Sequence, residues 1–440
     1  MSSVSKGRSS RGDLERLVIK LLRRIAQINM LPKNSRKIHD IIAFEDEKNG
    51  YVAYSIELEV TGDEGSWVLV NRDKPLWNEI VARLCDLNPN TFSVKHVDRM
   101  VADFVGKFML KEWKLSGIVK DAEALVNSIA DGTGETKRVF LPIWGLVIDM
   151  PSFVVGDVEF TPRTKDVEID ERLRKHESAR NKPEMSVVNT VAVTQTTGGD
   201  PYMIVQNAEA KVNQALNILR AFVYPTIADT AMKQIGIMGT FYMLPKLYFV
   251  ESVSIGGGKP SGKSSGGELS GISSVIIDQY VTEVVLAKSG FDKLSNFLVS
   301  ETSKFERSLL KGAEWLGEAT KPDTLESKFI KVALAVDAML GEEASDNIPD
   351  KGIRARIAER SAFLLATEGK WRERIYDEMR NFIGKRNKLA HGSAIKLSQW
   401  ETERFGAYTR TILERLLSRD PTFKSTEELA KWVQNASFRG

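Results

Sequence analysis

The strongest constraint in this sequence is a change of hydrophobic period near residue 280. Downstream of it, apolar residues recur at three- and four-residue steps, the spacing of one helix face, and no strand-like alternation follows. That periodicity predicts helices over roughly 281–298, 301–318, 324–341, 351–366, 370–383 and 397–418, with a short tail helix over 426–435. The third is the clearest. Leu325, Phe329, Val332, Val336, Met339 and Leu340 share a face, and Gly341 stands where a glycine C-cap ends a helix.

The first 280 residues have a mixed pattern. Leu14, Leu17, Val18, Leu21, Leu22, Ile25 and Ile28 predict a helix over 13–29, and 76–130 also looks helical. "YVAYSIELEV" alternates like a strand and "SWVLV" is its partner across "TGDEG". Strand composition returns in 137–161, in "GTFYMLPKLYFVESVSI" and in "GISSVIIDQY". The charged stretch 163–185 is expected to be a loop with some helix. "AEAKVNQALNILRAFVY" is an amphipathic helix that Pro225 ends. The expected organisation is a disordered tail over 1–12, an α+β region over 13–280 that can hold two subdomains, and an all-helical domain over 281–440.

Charge narrows the function classes. With 62 basic and 59 acidic residues the net charge is +3, which argues against a binder of nucleic acid driven by bulk charge but leaves room for a local basic patch. Cys85 is the only cysteine, so no internal disulfide can form and a cytoplasmic setting is expected. "MSSVSKGRSSRG" lacks the apolar stretch of a secretory signal, and no apolar run has the length of a membrane span. Trp67, Trp77 and Trp144 are candidates for a binding face, although such residues more often belong to a core.

One motif matches by letters alone. "GGKPSGKS" fits the phosphate-loop pattern through Gly262, Lys263 and Ser264, in which the lysine reaches nucleotide phosphates and the serine holds magnesium. That chemistry needs a helix opening directly from the loop, and "SGGELSGISS" is a poor helix starter. A surface loop over 256–271 is the expectation.

The chemistry-bearing stretch is "MRNFIGKRNKLAHGS". Histidine as a residue type gives and takes protons near neutrality, suiting it to a ribose 2′-hydroxyl or a departing 5′-oxygen. Arginine presents a fixed fork to phosphate oxygens and can hold the charge of a pentavalent transition state. Arg386, His391 and Asn387 supply this set, the asparagine orienting the imidazole or binding the sugar-phosphate, and no metal or other cofactor is required. Gly384 is expected to interrupt the preceding helix. Without a break, residues five apart differ by about 140° in direction. Arg386 and His391 can then meet at one phosphate only if the helix bends or a second copy completes the site. Arg380, Lys385, Arg386 and Lys388 form a basic run suited to an RNA backbone, and equally to a solvated helix end.

Taken in order, "FERSLLKGAEWLGEAT", "LESKFIKVALAVDAMLG", "IRARIAERSAFLL" and "YDEMRNFIGKRNKLAHGS" resemble the Apea-like branch of the HEPN superfamily, over about residues 300–420. The resemblance implies a HEPN-like helical bundle whose Arg386 and His391 match the family's arginine–histidine pair, with Asn387 at the polar position after the arginine. It implies a metal-independent endoribonuclease of antiviral or toxin systems, acting as a homodimer with two motifs facing one cleft and answering a phage-derived trigger. Asp337 stands where relatives often carry glutamate, as a supporting residue at the site or as a structural ion pair. The α+β region would then be the sensor. The alternatives are a non-catalytic module that binds RNA or nucleotide or serves for dimerisation, and a nucleotide hydrolase using Lys263.

Overall fold

The structure, a computed structural model, describes residues 11–23, 54–55, 68–69, 74–110, 118–178, 188–223, 235–237, 249–251, 275–321, 323–341, 352–418 and 423–437. It is mostly helical, with a sheet in the N-terminal part and helices throughout the C-terminal part. The chain divides into two compact units, one of 1–137 with 196–207 and one of 138–195 with 208–440.

In the first unit, α1 (11–23) buries Leu14, Val18, Leu21 and Leu22, the stripe its periodicity predicts. They join a core with α2 (Lys74–Leu87), α3 (Val94–Leu110) and α4 (Ile118–Ala130). Among the described residues, the sequence span 76–130 thus holds three helices. Trp77 is a core residue here, and its indole Nε1 donates to Asp98 Oδ1 at 2.6 Å, so its polar end is not stranded. The expected hairpin is represented by β1 (Tyr54–Ser55) and β2 (Val68–Leu69), antiparallel with Tyr54 opposite Leu69.

The second unit combines sheet and bundle. Its strands are β3 (Glu135–Trp144, from Arg138 onward), β4 (Leu146–Ile148), β5 (Phe153–Val155), β6 (Val158–Pro162), β7 (Val188–Gly198, up to Gln195), β8 (Gly236–Ile237), β9 (Phe249–Glu251) and β10 (Val275–Ile277). The main sheet runs β5-β6-β7-β3-β8, with β9 also on β3, while β10 pairs in parallel with β4. β3 is buried continuously from Val139 to Trp144, so Trp144 is core. Strand β7 was absent from the sequence expectations. Its β-branched run (Val188, Thr190, Val191, Val193, Thr194) is the signal that marks it. Helix α5 (Val167–Ser178) supplies the helix expected within 163–185.

Helix α6 (Pro201–Val223) begins seven residues before its apolar stripe suggested. Asp200 caps it, its Oδ1 accepting from the Tyr202 and Met203 amides, and Pro201 fills the first turn, where no amide donor is needed. The far half of α6 docks on the bundle. Asn217 Nδ2 donates to Glu318 Oε1 at 2.7 Å, and Arg410 Nε donates to the Ala221 carbonyl at 2.7 Å. The approach is close enough that a Cβ on Gly317 would fall 2.1 Å from the Asn217 carbonyl oxygen, so this crossing needs a residue without a side chain.

Among the described residues the last strand is β10, as the change of period implied. The expected helix over 281–298 is broken. Val281–Leu286 is π-helical and Gly290, at φ 83°, separates the turn Ala287–Ser289 from α7 (Phe291–Phe297). Then come α8 (Lys304–Ala319), α9 (Leu325–Leu340), α10 (Ile353–Leu365), α11 (Gly369–Ala390), α12 (Gln399–Ser418) and α13 (Thr426–Ser437). Ser303 and Glu306 close a capping box on α8. Gly341 is the C-cap of α9, but its φ of −80° keeps it right-handed. Rings from three helices, Phe329, Phe382 and Phe405, meet with centroids 4.9–6.2 Å apart and fix how α9, α11 and α12 pack.

Candidate active site

The site is built on the last turns of α11. Ile375, Met379, Phe382 and Ile383 are its buried residues and define the inward stripe. Arg386 lies within about 60° of all four on the helical wheel, so it continues that stripe toward the core. There it meets α9, where Arg386 Nη2 stands 2.7 Å from Asp337 Oδ2, the two side chains 29% and 25% exposed. Arg386 Nη1 also donates to Asn387 Oδ1 at 3.0 Å. One guanidinium is therefore held on two sides, by a carboxylate and by an amide. The shorter aspartate does reach the arginine. Asn387 acts on Arg386, and among the described residues the His391 imidazole has no hydrogen-bond partner.

Burial pushes the Asp337 carboxyl above its ordinary range, and the Arg386 charge offsets only part of that. A raised carboxyl favours the fold below its unfolded value and loses that advantage as pH rises through the folded one. The ionised form of Asp337 is thus the costlier one in the bundle, and the Arg386 charge lessens that cost.

The expected break at Gly384 does not occur: α11 passes through it and continues to Ala390. A mid-helix glycine costs about 1 kcal/mol relative to alanine, but here it makes room for a neighbour. A Cβ on Gly384 would lie 2.7 Å from Arg354 Nη2. The helix ends at His391, the C-cap, with φ −91° and ψ 13°. Gly392 follows at φ 75°, its amide donating to the Leu389 carbonyl, while the Ser393 amide donates to the Lys388 carbonyl, both at 2.9 Å. This is a Schellman closure, which satisfies two end carbonyls and requires a residue at ease in the left-handed region. The glycine after the histidine therefore has a backbone reason, and the closure presents His391 at the surface.

With an unbroken helix, Arg386 and His391 diverge by about 140°. The basic run divides in the same way. Lys385 points toward α12 and pairs with Glu401, itself in a capping box with Ser398. Arg386 faces α9, while Arg380 and Lys388 are exposed on the side of His391. The sequence reading did not anticipate Glu401 as a partner, or Arg354, whose Nε donates to the Arg380 carbonyl at 2.6 Å. Both partnerships join different helices, and no local spacing announces them.

Beside the site, Glu378 locks α11 to α12. Arg404 grips its carboxylate with two nitrogens at 2.6 and 3.0 Å, Tyr408 Oη donates at 2.7 Å, and Arg374 Nε stands at 3.1 Å. Burial pushes Glu378 up, but these hydrogen bonds outweigh it and hold the carboxyl below its usual range. Burial and then Glu378 push the Tyr408 phenol up to about 12. A depressed carboxyl stabilises the fold above its unfolded value, and that contribution fades as pH falls through the folded one. Arg404→Ala is expected to cost about 1–2 kcal/mol at neutral pH. That deficit should shrink as pH falls and Glu378 takes up its proton, read as the difference in melting temperature from wild type between about pH 3 and pH 7.

The phosphate-loop-like residues Gly262, Lys263 and Ser264, the loop 256–271, and Trp67 lie outside the described residues. Among the described residues, no group of three or more carboxylate, imidazole or thiol side chains is placed to hold a metal ion, and no helix is long and apolar enough to cross a membrane. No family model, curated protein or solved structure matches this chain.

Proposed function

We propose that the helical part of this protein is a HEPN-type endoribonuclease that cuts RNA through Arg386 and His391, with Asn387 and Asp337 positioning the arginine. The observation that carries the reading is the guanidinium held half-buried by Asp337 and Asn387 at the end of an inward stripe. Two contacts that hold the guanidinium in one orientation are what a phosphate-binding fork needs. In this reading the imidazole takes the 2′-hydroxyl proton, the 2′-oxygen attacks phosphorus, and the P–O5′ bond breaks as the imidazolium returns that proton to the departing oxygen. The products are a 2′,3′-cyclic phosphate and a 5′-hydroxyl. The arginine fork carries the charge of the pentavalent phosphorane. Because the two side chains diverge on one helix, two copies of the chain supply each scissile phosphate. The biological setting we propose is anti-phage defence, with the α+β region sensing a phage-derived trigger.

A second reading, a non-catalytic RNA-binding or dimerisation module, draws on the same ion pair, since both contacts of Arg386 lie inside the bundle. Sequencing RNA ends separates the two. Purified protein and phage-challenged cells are expected to yield new 2′,3′-cyclic phosphate ends that vanish in His391→Ala. RNA bound but left intact in both settings would establish the second reading.

A further inference from the structure

The same face of α11 that carries His391 holds a cation from another helix. Arg354, in the first turn of α10, is an exposed residue whose guanidinium is seated on α11 at Gly384. Its Nε donates to the Arg380 carbonyl at 2.6 Å, an oxygen that a helix already commits to the Gly384 amide. Here no Cβ stands in the way of that approach. A Cβ on Gly384 would lie 2.7 Å from Nη2 and 2.9 Å from Cζ. The glycine is thus a seat for the arginine.

The position of that seat gives it a use. Gly384, Lys388 and His391 follow one another down one face, the last about 10 Å along the axis from the first. The carboxylates of this face, Glu373 and Asp377, lie further upstream, so charge turns positive toward His391. A strand lying along the face passes Arg380 and Arg354, then Lys388, before it reaches the imidazole. With Nε on the backbone, the terminal nitrogens of Arg354 retain donors for an anion.

We propose that Arg354, seated on Gly384, binds a backbone phosphate of single-stranded RNA next to the scissile one and so sets how the strand enters the site. The proposal rests on the ribonuclease reading and deepens it. The seating holds the fork in place before RNA arrives, which reduces what ordering must cost on binding.

The test measures binding of a single-stranded RNA oligonucleotide in the non-cutting His391→Ala chain across a salt series, and KM and kcat in the otherwise intact chain. Arg354→Ala is expected to weaken binding about tenfold and to lower the slope of log affinity against log salt by about 0.7, the loss of one phosphate contact on a single strand. KM should rise with kcat unchanged. Gly384→Ala should do the same, because its Cβ evicts a flexible side-chain end while raising helix propensity by about 1 kcal/mol. Its melting temperature should therefore not fall, which a merely structural Arg354 does not predict. Unchanged affinity and salt slope in Arg354→Ala, or wild-type binding by Gly384→Ala, overturns the contact and leaves the nuclease reading standing if the wild type still cuts. Weakened binding in both variants of a chain that never cuts keeps the contact and removes the nuclease. A wild type that neither binds nor cuts removes both.

Discussion

Co-expressing Arg386→Ala and His391→Ala chains is expected to restore RNA cleavage that neither chain has alone. Each variant alone should lose about 100-fold or more, since one lacks the phosphate fork and the other the proton-transfer group. The two side chains diverge by about 140° on an unbroken helix, so a site that uses both takes the arginine of one copy and the histidine of the other. A mixed dimer then contains one site with both lesions and one with neither. Random pairing of equal amounts should return about one quarter of wild-type activity through a two-fold symmetric interface. The readout is the count of new 2′,3′-cyclic phosphate ends, with tagged chains to confirm that mixed dimers form. Mixed dimers as inactive as the single variants would mean that arginine and histidine do not combine across the interface.

Arg386→Ala and His391→Ala are also expected to part company in stability. His391 is exposed on a helix cap, and its loss should leave the melting temperature within a degree or two. Arg386→Ala strips the partner from a half-buried carboxylate and should cost about 1–3 kcal/mol at neutral pH. The sign of its pH dependence follows from Asp337. Burial already holds that carboxyl up, and without the guanidinium it rises further. The deficit is therefore largest at neutral pH and shrinks as Asp337 takes up its proton at lower pH. Adding Asp337→Asn to Arg386→Ala should recover most of the stability and none of the cleavage. A deficit that is flat with pH, or one that the second substitution fails to repair, would show that Asp337 is not the group Arg386 serves.

The fold was legible to uneven depth, and the reasons are local. The stripe of α9, the stripe of α1 and the absence of strands after β10 among the described residues follow from a period that one chain segment carries by itself. β7 escaped notice because it is buried along most of its length and so lacks the alternation that marks a half-exposed strand. The start of α6 was missed because a cap and a proline set it, ahead of the first apolar repeat. Gly384 misled for a related reason. Composition gives glycine as a weak point in a helix, but its cost of about 1 kcal/mol is small enough for the packed stripe on either side to carry the helix through it.

What the sequence determined on its own is everything that depends on neighbours a few residues apart. It set which segments are helical, that Arg386 continues an apolar stripe while His391 leaves it, and that a glycine after the histidine can close the helix in the left-handed region. What the tertiary structure alone decided is which groups meet: Asp337 with Arg386, Glu401 with Lys385, Arg354 with the backbone at Gly384, Asn217 with Glu318. Those pairs join separate elements, and their distances depend on how buried faces such as the Phe329, Phe382 and Phe405 rings interlock. Periodicity orients a side chain about its own helix axis, but packing between helices sets what stands opposite it.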